Sequence, residues 1–177
     1  MLVIKAILIL LLFIAAGSSV PQTSKVEPPE KLTSVCDILS NRGVYNGRLV
    51  ALIGRWVSTD EGSWIESDCE KPIKTGSYTW SDIIFLNQDS SSPTIFAKHI
   101  SFDFATADSK IAELTAHGKL PNEKVRWAVV YGLLETKEEL ETAFSADGSA
   151  RGVGYGHLNA SPAQIIYREK DLFVLPR

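Results

Sequence analysis

Leu49-Val50-Ala51-Leu52-Ile53-Gly54-Arg55-Trp56-Val57-Ser58 reads as one strand of a sheet that curls. Leu52, Gly54 and Trp56 alternate with Ala51, Ile53, Arg55 and Val57, which is the two-residue period of a strand with two distinct faces. A glycine in the middle of such a run gives up packing, and it marks a bulge or a sharp bend of the kind a barrel requires. Turn chemistry bounds the strand on both sides. Tyr45-Asn46-Gly47-Arg48 precedes it, where Asn and Gly tolerate positive φ, and Asp60-Glu61-Gly62 follows it. The chain then re-enters with Ser63 to Glu66, ending near Cys69, so the two strands are expected to form a hairpin.

Upstream, Thr33 or Ser34 can cap a short helix over Val35 to Ser40, with Val35, Ile38 and Leu39 on one face. Downstream, an excursion over Glu70 to Thr79 leads to Trp80 to Leu86, dense in β-formers, and Asp89 to Ser92 reads as a loop tip. Thr106 to His117 carries Ile111, Leu114 and Thr115 at helical spacing, with Gly118 as a natural stop. Val125 to Leu134 is the strongest strand signal and again contains a glycine, Gly132. From Gly152 onward the pattern gives a glycine-interrupted strand and then two short ones, Ala163 to Tyr167 and Leu172 to Leu175. The expected fold class is therefore mainly β: a small closed or nearly closed barrel of five strands or so, with a short N-terminal helix and one inserted helix.

The first residues speak to compartment. Lys5 precedes an unbroken apolar run from Ala6 to Ala16, and Gly17, Ser18 and Ser19 follow, which is the layout of a signal peptide over residues 1–19. Spanning a bilayer takes roughly 20 apolar residues, more than this run offers, and no cysteine follows it at once to carry a lipid. No stable membrane insertion is expected after cleavage. Residues 20–32, with three prolines over Pro21 to Lys31, read as a disordered lead, and residues 33–177 as a single domain. In a secreted or periplasmic setting the only two cysteines, Cys36 and Cys69, are expected to pair. They lie too far apart for a Cys-x-x-Cys redox motif, and no histidine pair completes a zinc set. The net charge of −3 becomes more negative once the segment carrying Lys5 is removed. Such a surface gives little counterion release, so nucleic acid is not the expected partner.

The run Cys36, Asp37, Leu39, Tyr45-Asn46-Gly47-Arg48-Leu49-Val50, Gly54-Arg55, Glu61-Gly62-Ser63-Trp64, Cys69 resembles the opening of small exported bacterial proteins of unknown function with an OB-type barrel. The closing run Gly154-Tyr155-Gly156-His157-Leu158-Asn159-Ala160-Ser161-Pro162-Ala163-Gln164-Ile165 is similar to them as well, departing at Ser161, where an aromatic would be expected. The resemblance implies an OB-type fold, export and a bacterial origin, and it implies no activity.

Candidate chemistry is sparse. No His-Glu-x-x-His and no Gly-x-Ser-x-Gly elbow occurs, and His99, His117 and His157 have no histidine partner at metal-binding spacing, so neither a metal nor a cofactor is expected. His157 stands out because Gly152, Gly154 and Gly156 beside it allow backbone or ligand to approach closely. Its bland alternative is a histidine hydrogen-bonded to backbone at the barrel seam. Asp60, Glu61, Glu66, Asp68 and Glu70 crowd the first hairpin as a solvated turn or a carboxylate pair. Among the tryptophans, Trp56 and Trp127 read as core, whereas Trp64 and Trp80 are candidates to line a ligand surface. Two readings stay open. One is a non-enzymatic binding or structural module of the cell envelope or secretome, engaging an unknown protein or small-molecule ligand through Trp64, Trp80 and His157. The other is a periplasmic or secreted hydrolase using carboxylates near Glu61 and Glu66 with His157.

Overall fold

The computed structural model describes residues 31–90, 103–116 and 126–176. The leader expected over 1–19, nearly all of the lead, His99, His117 and Gly118 lie outside the described residues. Leu32 is already buried in β1 (Leu32–Ser34), one residue before the expected domain start. The chain passes directly into α1 (Val35–Ser40), which begins at Ser34 for a local reason. The Ser34 hydroxyl accepts from the Asp37 N–H at 3.1 Å, and the Asp37 carboxylate accepts from the Ser34 N–H at 3.3 Å, a reciprocal capping box. Val35, Ile38 and Leu39 are buried, as their spacing predicts. A single further turn, α2 (Arg42–Tyr45), leads into Asn46-Gly47, where Gly47 takes φ +70°.

β2 (Leu49–Thr59) and β3 (Gly62–Glu66) form the expected hairpin, with Trp56 opposite Ile65 and Val57 opposite Trp64. A small hairpin, β4 (Lys74–Thr75) with β5 (Tyr78–Thr79), then precedes β6 (Ile83–Gln88). After it come α3 (Phe104–Ala116), β7 (Arg126–Thr136), a second small hairpin of β8 (Thr142–Phe144) with β9 (Ala150–Gly152), β10 (Ala163–Tyr167) and β11 (Leu172–Val174). The barrel is closed. Its order is β2-β3-β6-β10-β7, and β7 returns to β2 over eight register pairs from Leu49↔Leu133 to Trp56↔Arg126. All neighbours are antiparallel except β6 and β10, which are parallel, so the five strands follow the OB-type Greek key with α3 between the third and fourth. β10 and β11 both pair with β7, at different heights, and not with each other.

Alternation along these strands separates two apolar clusters. Val50, Leu52, Ile65, Ile84, Val130 and Ile165 point inward and meet α1, whereas Ala51, Ile53, Val129 and Tyr131 point outward, beneath Ala107 and Ile111 of α3. The two strand glycines serve close packing. The β2–β7 register runs through Gly54↔Ala128 without an extra residue, so Gly54 is not a bulge. A Cβ there would stand 2.5 Å from Ile65 Cγ2 and 2.9 Å from the Glu66 carbonyl oxygen. Cys36 and Cys69 are joined, tying α1 to the segment after β3.

Candidate functional site

The chain between β7 and β10 returns across the outside of the barrel as a strap. Val153 N–H donates to the Glu141 carbonyl, and Tyr155 and Ser161 exchange backbone hydrogen bonds of 2.8 and 3.2 Å, closing the 155–161 loop on itself. The alternate glycines show what it rests on. Cβ atoms on Gly152 and Gly154 would strike the Trp80 ring, and one on Gly156 would lie 2.7 Å from Phe85 Cγ. A Cβ on Gly62, at the start of β3, would likewise stand 2.8 Å from the same Phe85 ring. Strap and first hairpin thus share one aromatic ring as their common support.

Trp80 is 2% exposed. Its indole N–H donates to Thr75 Oγ1 at 3.0 Å, and Tyr78 stacks edge-on at 5.1 Å. Its backbone lies ahead of β6, with N–H bound to the Ile73 carbonyl, so the β-former density over 80–86 misplaces the strand start. The expectation that Trp80 faces a ligand is therefore corrected: it is a buried wedge beneath the strap. Ser161, 1% exposed, occupies the position where the resemblance calls for an aromatic. Its hydroxyl accepts from the Phe85 N–H at 3.2 Å and lies in donor range of the Ile83 and Ala163 carbonyls, pinning the strap to β6 where the parallel pairing begins.

His157 sits at the outer end of the strap. It is half exposed and takes no backbone hydrogen bond among the described residues; instead Nε2 lies 3.9 Å from Glu61 Oε1. The bland expectation of a backbone-bonded seam histidine does not hold, because the strap's glycine contacts press its backbone, and not this side chain, onto the barrel. The residues that follow are conformationally costly. Leu158 and Asn159 take φ of +59° and +54°, both non-glycine, and the Leu158 side chain is 74% exposed. Trp64 is partly buried on the outer face of β3, its indole N–H 3.5 Å from Glu66 Oε2, directly opposite Phe85 in the β3–β6 register.

The hairpin carboxylates do not form one site. Arg55 holds Asp68 with two hydrogen bonds, of 2.7 and 2.9 Å, while its Nε lies 3.3 Å from Glu66, close enough for charge attraction but not aligned as a hydrogen bond. Glu61, in the turn just before β3, and Glu66, at the far end of that strand, are about 16 Å of chain apart, beyond the spacing that serves a glycosidase pair. Asp82, which sequence reasoning passed over, accepts the Cys69 N–H at 3.1 Å. Burial pushes its carboxyl above the ordinary range; the Cys69 hydrogen bond opposes this and the Asp68 charge adds to it.

Of the three residues expected to share a ligand surface, Trp64 and His157 flank the Phe85 contact and Trp80 does not reach the surface. No cluster of three or more candidate metal ligands occurs among the described residues, and no helix among them is long and apolar enough to cross a membrane. Phe85 was missed, and the signal for it was present: three alternate glycines imply large groups packed against bare backbone. Comparison with protein-family models, curated proteins and solved structures finds no match.

Proposed function

We propose that this chain is a non-enzymatic binding module of an exported bacterial protein, and that its ligand meets the outer face of β3 and β6 at Trp64, between Glu61 and His157. One observation carries the reading. Residues 96 positions apart in sequence approach to 3.9 Å beside an aromatic face, from the loops that follow the first and fourth barrel strands. In OB-type barrels that face and those two loops are where ligands are held. The leader pattern and the disulfide support an oxidising compartment outside the cytoplasm. The acidic balance supports a small molecule or a protein as partner, and neither nucleic acid nor the bilayer.

A thermal-shift screen of the mature protein tests this, since any ligand of the native state raises its melting temperature. The hit should bind about tenfold more weakly to Trp64→Leu and to His157→Gln. His157→Gln should itself change stability by less than about 0.5 kcal/mol, being half exposed. Unaltered binding in both variants would refute the site. The Glu61–His157 approach also keeps a hydrolase reading in play, now without Glu66, which Arg55 holds. Turnover of a screened ester or glycoside that vanishes in His157→Gln would favour it.

A further inference from the structure

The β8–β9 pair stands apart from the barrel sheet. β9 lies beside β5 and the strap at 157–159, which makes β8 the outer strand. Val153 N–H donates to the Glu141 carbonyl and Ser145 N–H to the Ser149 carbonyl, both at 2.9 Å, with Ala143 opposite Arg151 between them. Bonded and unbonded pairs alternate along an antiparallel ladder, so the N–H and C=O of Thr142 and Phe144 point away from β9. No third strand takes them up among the described residues. Proteins commonly blunt such an edge with lysine, proline or a bulge. β8 is short, yet it carries neither lysine nor proline, and its register is unbroken.

The side chains agree with the backbone. Thr142 and Phe144 share a face with Ala150 and Gly152, and a Cβ on Gly152 would stand 2.6 Å from the Trp80 ring, so this face is turned towards the barrel. The barrel covers its Gly152 end. At the other end Phe144 projects, 73% exposed. The approach to β8 is acidic. Glu138, Glu139 and Glu141 are exposed and enter no ion pair among the described residues. Lys137 is turned to the Val153 carbonyl, at 2.6 Å, and Arg151 lies on the opposite face of the hairpin.

We propose that the outer edge of β8 takes an extended, basic segment of a partner protein as a third strand, with an apolar side chain of that segment against Phe144. This surface goes beyond the Trp64–His157 face and does not rest on it. Strand addition satisfies the outward N–H and C=O groups, and side chains at alternate positions set its specificity. Lysine or arginine in the segment would meet Glu138, Glu139 and Glu141, whereas an acidic segment would set like charges together. A second copy of this chain would present the same acidic edge.

Fluorescence anisotropy tests this on the disulfide-intact mature protein, with capped, labelled nonapeptides Lys-Lys-X-Thr-X-Thr-X-Lys-Lys in which X is Val, Ile or Phe. At least one should bind with a Kd below about 100 μM, and rising salt should weaken it. Peptides with Glu for Lys, or N-methylated throughout the X-Thr-X-Thr-X stretch, should bind about tenfold more weakly or worse. Phe144→Ser, and Glu139→Gln combined with Glu141→Gln, should each weaken binding about tenfold. Thr142→Pro removes an N–H that β9 does not use and should abolish binding with little change in melting temperature. Where that variant unfolds, the N-methylated peptides report on the same backbone bonds. Failure of every basic peptide to bind overturns the proposal, as does binding that N-methylation, Glu for Lys or Phe144→Ser leaves unchanged. Sedimentation of the peptide-free protein checks the remaining occupant: a dimer that Thr142→Pro dissociates would assign the edge to a second copy and overturn the partner segment.

Discussion

Replacing Gly156 by Ala should loosen the strap at the point where it meets the barrel. Two costs add. The residue takes φ +72° and ψ −167°, a region open essentially to glycine alone, and forcing an L-residue there costs about 1–3 kcal/mol. The new methyl would also lie 2.7 Å from Phe85 Cγ and 2.8 Å from Cε2, overpacking worth a further 1–3 kcal/mol or so. The Phe85 ring also lies close to Gly62, where a Cβ would stand 2.8 Å from Cε2, which narrows the room into which it could shift. A total loss of about 2–6 kcal/mol is a large share of an ordinary domain's stability of about 5–15 kcal/mol. Urea unfolding followed by tryptophan fluorescence measures it as a fall in midpoint. A double-mutant cycle separates the two costs: Phe85→Leu removes the ring edge but not the backbone strain, so the pair should couple by about 0.5–3 kcal/mol. Gly43→Ala serves as the control. It lies in α2 with nothing within 4 Å of a Cβ, and it should be neutral or slightly stabilising. A Gly156→Ala protein with the parent midpoint, or a cycle with no coupling, would refute the account of the strap.

Replacing Cys36 and Cys69 together by Ser should lower stability by about 3–4 kcal/mol, since the bridge closes a loop between positions 33 apart. Reduction of the parent should give the same loss, and a midpoint indifferent to reductant would contradict it. Asp82→Asn makes a prediction in pH. A carboxyl whose folded pKa is raised destabilises the fold once ionised; the cost is absent below the unfolded pKa and complete above the folded one. The Asn variant keeps a carbonyl oxygen for the Cys69 N–H and loses that charge. Its stability relative to the parent should therefore be more favourable at neutral pH than in acid, and an equal difference at both would refute the assignment.

Most of the barrel was legible because its strands carry strong local signals. β2, β3, β7 and β10 begin and end within a residue or two of their expected limits, and Ser34 caps α1 as its side chain suggests. What stayed hidden depends on distant partners. α2, the β4–β5 hairpin and β8 are too short to carry a period, and each is held by contacts the sequence does not display. Trp64 and Trp80 looked alike because both lie in or beside β-rich runs. Only the fold reveals that Trp64 is on an outer face and that Trp80 lies under Gly152 and Gly154. The hydrogen bonds from Asn87 to Gln164 and from Gln164 to Glu135 were unreadable for the same reason, their members being brought together by one parallel and one antiparallel register.

The strap explains why the candidate site falls where it does. A segment with three alternate glycines gains little from its own side chains and loses much entropy on ordering. Left-handed Leu158 and Asn159 add strain. Such a segment stays in one place only if the barrel over-determines it. Phe85, Trp80 and the buried Ser161 hydroxyl do so from beneath, and the Tyr155–Ser161 bridge does so from within. These restraints act on the strap's backbone and leave its outward groups, His157 and Leu158, free of structural duty. Glu61 and His157 gain little from each other as an exposed pair, since such pairs contribute only about 0–1 kcal/mol. Their approach follows from the geometry beneath them, which sets the backbone of both loops, though not the exposed side chains, in position before any ligand arrives. Preorganisation of this kind lowers the entropic cost of association. It is the physical ground for expecting this face, rather than the barrel interior that α1 fills, to be where the protein meets its partner.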